Sequence, residues 1–125
     1  MTFRLADPDA LYRTTVAVDV PAEDGFERRE CIVLFRLITR PEAAAALLEG
    51  DEAYMRAAVG GWEGIADHDG SELEFSDENL VKLAGISYFA RAVQEEHERF
   101  LLGLPGKTSR QPSATGGTAP APATQ

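Results

Sequence analysis

Between Tyr12 and Val20 the chain is crowded with β-branched residues: Thr14, Thr15, Val16, Val18 and Val20. Such side chains are stiff at χ1 and pack well on a pleated, half-buried surface, so this stretch is expected to be a strand. Pro21-Ala-Glu-Asp-Gly25 follows as turn chemistry, with Asp-Gly able to supply positive φ, and a β-like pattern resumes from Glu27 to Ile38. Together these predict a β-hairpin. The continuous apolar run Ile32 to Phe35 implies that the second strand is buried on both faces, or that a partner covers its second face.

The pattern then turns helical. Thr39 is a candidate cap for a helix opening at Arg40-Pro41-Glu42, because Pro41 suits the first turn and Glu42 complements the positive end of the dipole. Ala43 to Leu48 are strong helix formers, and Gly50 is a natural stop. Asp51 can cap a second short helix running through Met55 to Val59, ended by Gly60-Gly61. Asp69-Gly70, set between Ile65 and the pair Leu73 and Phe75, signals a tight second hairpin with one apolar face and one solvated by Glu72 and Glu74.

Ser76 reads as an N-cap, with Asp77 and Glu78 in the first turn and Leu80, Leu83 and Ala84 forming an apolar stripe. Gly85 ends or weakens that helix. Ser87 can cap a last one, in which Phe89, Val93, His97, Phe100 and Leu101 share a face. Beyond Leu104 there is no Val, Ile, Leu, Met or aromatic residue to offset the entropy of ordering. The expectation is therefore one α+β domain over residues 1–104 and a flexible tail, rich in Pro, Ala, Gly and Thr, over 105–125.

Charge narrows the partners. The first 104 residues hold ten bases against 21 acids, a net of −11, and both remaining bases, Lys107 and Arg110, lie in the tail. A surface this negative repels phosphate backbones and anionic lipid, so neither nucleic acid nor membrane is an expected partner. No apolar run approaches the roughly 20 residues of a membrane span, and no basic-then-apolar leader is evident, so the protein is expected to be neither embedded nor secreted. The single Cys31, inside the apolar run ending at Phe35, reads as a small hydrophobe in a reducing cytoplasm rather than a reactive thiol.

Catalytic and metal chemistry find little support. Asp67-His-Asp-Gly70 offers two carboxylates and an imidazole, but an EF-hand loop needs its Gly sixth, whereas here it stands fourth. Glu95, Glu96, His97 and Glu98 are consecutive on a helix and point in different directions, so His97 is expected at the surface or at the edge of the apolar stripe. No phosphate loop, serine elbow or Cys/His/Asp constellation is present. The chain is thus expected to be no enzyme, with no catalytic residues, no cofactor and no metal.

The stretch from Gly60 to Leu80 resembles the small tail assembly chaperones of tailed bacteriophages and prophages. The likeness rests on Gly-Trp-x-Gly at Gly61 to Gly64, Asp-x-Asp-Gly at Asp67 to Gly70, an apolar-x-Phe-Ser at Leu73 to Ser76, and Glu-Asn-Leu at Glu78 to Leu80. With the similar upstream β-rich segment and downstream helix it covers most of Thr14 to Leu104 and none of the tail. It implies a protein of the host bacterial cytoplasm that binds the tape-measure protein, keeps its apolar helices soluble, helps recruit the tail-tube protein, and is absent from the finished virion. The motif residues Trp62, Gly64, Asp67, Asp69, Gly70, Phe75, Ser76, Asn79 and Leu80 read first as structural, with Trp62 and Phe75 closing a small core over the hairpin. A small acidic regulator or inhibitor of a host or phage protein is the alternative, and an unrecognised small enzyme a third.

Binding is expected at the chain's last helix. It carries more apolar surface near its end than one core-facing stripe requires, so Phe100, Leu101 and Leu104 are candidates for partner contact or homo-oligomer formation, with Phe89 and Val93 in the core. The whole stripe serving as core is an equal alternative, because terminal helices commonly dock to finish a domain.

Overall fold

The structure is a computed structural model describing residues 1–106. It is a mixed α+β fold, in the order β1 (Leu11–Ala22), β2 (Gly25–Arg36), α1 (Arg40–Glu49), α2 (Asp51–Ala58), β3 (Val59–Glu63), α3 (Asp77–Ala84) and α4 (Ser87–Leu101). The three strands form one antiparallel sheet, β1-β2-β3. The tail expected from residue 105 lies, from Lys107 onward, outside the described residues.

The hairpin is longer than its β-branched centre suggested. β1 and β2 pair from Leu11↔Arg36 to Ala22↔Gly25, so the loop shrinks to Glu23-Asp24, with Gly25 at φ 125° where a side chain would be strained. Pro21 sits within β1, opposite Phe26, which is tolerable because β1 is an edge strand. Alternation places Val16, Val18, Val33 and Phe35 on the inner face, all buried against the helices, while Ile32 and Leu34 face the other way and are half-buried. Each large side chain so buried contributes about 1.5–3 kcal/mol.

The third strand is a correction to the sequence reading. Val59 does not end α2 but begins β3, and Gly60-Gly61 are strand residues. The reason is close approach. A Cβ on Gly60 would run into the side chain of Leu11, and one on Gly61 would stand 2.9 Å from Leu34 Cδ1. The two glycines thus let neighbouring side chains lie flat across the sheet's outer face, and the register between Leu34 and Phe35 is irregular at this point.

Helix ends follow their chemistry in part. Thr39 and Glu42 form a reciprocal capping box, and Ser76 Oγ accepts from Asn79 N at 3.1 Å. Asp51 and Ser87, expected as caps, instead occupy the first helical positions of α2 and α4; Gly50 and Ile86 precede them without a side-chain cap. Gly50 at φ 119° makes the tight α1–α2 corner and leaves no room in the chain for a separate capping residue.

His97 is the clearest departure. Expected at the surface or at the edge of the apolar stripe, it is fully buried, edge-on to Phe35 with ring centroids 4.9 Å apart. Its Nε2 lies 2.9 Å from the carbonyl oxygen of Arg36, which can only accept, so Nε2 carries the proton. Nδ1 then accepts from the Tyr54 hydroxyl at 2.7 Å. Both ring nitrogens are satisfied, and the imidazole ties α4 to α2 and to the end of β2.

Candidate partner-binding groove

Helix α1 has no buried residue and packs mainly against α2, which leaves a gap between α1 and α4. The gap is a groove of about 680 Å³. Ile38, Ala43, Ala44 and Leu47 line it from the α1 side, Leu101 and Leu102 from the α4 side, and Tyr54 lies at its base. Arg40, Arg91, Glu95 and Glu98 form a charged rim. Burial against the hydroxyl, and secondarily the charge of Glu98, push Tyr54 up to about 12, so it remains a neutral donor to His97. Beside the groove Leu48 is 90% exposed, Leu102 60% and Leu104 48%. With Leu47 and Leu102 exposed on its two walls, the groove offers apolar surface of the kind that marks an interaction site.

The three residues expected to bind a partner divide. Leu101 lines the groove and Leu104 is exposed beyond it. Phe100 turns inward, with its ring 5.5 Å from Tyr12, 5.7 Å from Phe35 and 5.9 Å from His97. The aromatic stripe finishes the core, and the leucines after it do not. The α1 contribution was missed by sequence reasoning: the adjacent pair Leu47 and Leu48 gives no local signal of exposure, since the equally adjacent Tyr54 and Met55 are both buried on the short α2.

The motif residues cluster elsewhere and hold one loop to α3. Trp62 is 8% exposed, donates from Nε1 to the Leu73 carbonyl at 2.7 Å, and stands edge-on to Phe75 at 4.9 Å. The second hairpin is reduced to a single bridge, Ala66↔Glu72, closed by Gly70 at φ 90°. Asp67 receives the ammonium of Lys82 and the amide of His68 (2.8 Å), and Lys82 holds its carboxyl well below the usual carboxylate range. Asp69 accepts from the side chain and backbone of Ser71, which lowers its pKa. Asn79 Nδ2 donates to the Glu74 carbonyl at 2.8 Å, Leu80 is buried, and Gly64 takes φ 73°. Gly64 and Gly70 supply positive-φ corners and the other motif residues make the contacts that shape this loop; of the two aromatics expected to close a core over the hairpin only Trp62 does so, since Phe75 packs edge-on against it but stays 42% exposed.

Cys31 is half-buried in β2, and desolvation pushes its thiol up to about 11, so it is a protonated, poor nucleophile near neutrality. Among the described residues no three His, Cys, Asp or Glu side chains converge as metal ligands, and no helix is long and apolar enough to cross a membrane. Comparison with protein-family models, with curated proteins and with solved structures gave no match to this chain.

Proposed function

We propose that this protein is a non-catalytic tail assembly chaperone, which takes an apolar helix of the tape-measure protein into the groove between α1 and α4 and helps bring tail-tube subunits to it. The observation that carries the reading is the groove itself, with Leu47 and Leu102 exposed on its two walls. An amphipathic helix laid along it would bury its apolar face there. The surrounding surface, net −11 over residues 1–104, would keep such a complex soluble. The spacing of motif residues from Gly61 to Leu80 adds the family resemblance.

Co-expression tests this. A tape-measure fragment that is insoluble alone should stay soluble and co-purify with the wild-type chain, and should lose at least tenfold in recovery with the Leu47→Glu/Leu102→Glu variant. Both positions are exposed, so the variant's thermal midpoint should hold. Retention of a host protein in place of the tape-measure fragment would favour the acidic regulator, which the net charge also suits.

A further inference from the structure

Residues 1–9 are exposed and carry no helix or strand. Phe3 is 85% exposed and Leu5 79% exposed, two residues apart, so in an extended segment both project from the same side. The molecule thus presents both an apolar-edged arm and an open apolar groove to water.

The arm and the groove share one end of the molecule. Tyr12 holds the root of the arm by donating its hydroxyl to the Asp7 carbonyl at 2.7 Å, and its ring lies against Phe100, next to Leu101 of the groove. Leu11 pairs with Arg36, two residues before Ile38 on the opposite wall. From Asp7 the six residues Met1–Ala6 reach roughly 20 Å when extended, at about 3.3 Å each. Arg4, between the two apolar residues, is the arm's cationic side chain; Glu98 on the groove's rim has no ion pair among the described residues.

We infer that a second copy of this chain fills the groove: two molecules meet end to end about a two-fold axis and exchange arms, each placing Phe3 and Leu5 between α1 and α4 of the other and Arg4 against Glu98. The arm lies outside its own groove in the single chain, which favours exchange over docking within one molecule. The contact is isologous and closes at two copies. It shares its groove with the proposed partner site and rests on that reading of the groove as open; a tape-measure helix would have to displace the arm.

Sedimentation of the full chain over a range of concentrations, without any partner present, tests this. The wild type should form dimers. Phe3→Ser/Leu5→Ser and, separately, Leu47→Glu should each raise the dimer dissociation constant at least tenfold with unchanged thermal midpoints. Mixing the two variants should partly restore dimers, because one intact arm then meets one intact groove. A monomeric wild type, or a dimer indifferent to the arm substitutions, overturns the inference. Either result leaves the co-expression test untouched, so exchange can fail while partner binding stands, and the reverse.

Discussion

Trp62→Ala is expected to destabilise the fold by about 3–5 kcal/mol, the usual range for a large aromatic lost from a core. Trp62 is the cross-strand partner of Val33 in the β2–β3 register, and its indole stands edge-on to Phe75 and gives its one donor to the Leu73 carbonyl. Removing it opens a cavity and leaves that carbonyl without its partner, so the loop from Gly64 to Ser76 loses its main attachment to the sheet. Thermal or urea unfolding measures the loss; for a domain of this size each kcal/mol corresponds to a fall of roughly 4–8 °C in Tm. An unchanged midpoint accompanied by lost partner binding would move Trp62 from the core to an interface.

His97→Ala is the second large effect, about 3 kcal/mol or more. The substitution strands the buried Tyr54 hydroxyl, an unsatisfied group costing about 1–3 kcal/mol, removes the part-buried hydrogen bond to the Arg36 carbonyl, and leaves a gap between Phe35 and Phe100. The same burial gives a pH dependence. Desolvation lowers the pKa of His97, against a smaller raising effect of the Arg36 carbonyl. The folded state therefore resists a proton that the unfolded state accepts near pH 6.5. The unfolded state binds more protons as pH falls through that value, so stability should decline on acidification from about pH 7.5 to 5.5, by at most about 1.4 kcal/mol per pH unit. Urea midpoints across this window read the slope, which lies above the titration of the lowered carboxylates Asp67, Asp69 and Asp77. A flat profile, or the same slope in His97→Gln, would contradict the assignment.

Local chemistry was the legible part of this chain. The β-branched run of β1, the Thr39 and Ser76 caps and the stops at Gly50 and Gly85 depend on neighbours a few residues away, and each appears where its residue types place it. What the sequence hid depends on partners far along the chain. Gly60-Gly61 read as a helix stop because nothing local reveals that Leu11 and Leu34 will lie across them. His97 read as a boundary residue because its two hydrogen-bond partners, Tyr54 and the Arg36 carbonyl, lie 43 and 61 positions upstream. Phe100 stayed open between an outward and a core role for the same reason, since Tyr12 and Phe35, which receive its ring, come from the sheet. Leu101 was legible as surplus apolar surface on α4, but its opposite wall, Leu47 and Ile38, becomes visible only when α1 is seen to stand clear of α4.

Amide chemical-shift mapping with a soluble peptide from an apolar helix of the tape-measure protein tests the groove most directly. The largest perturbations are expected at Ala44, Leu47, Leu101 and Leu102, with little change along the outer sheet face at Ile32 and Leu34. Perturbations confined to the Trp62–Phe75 loop or to that sheet face, with the α1–α4 groove silent, would contradict the account.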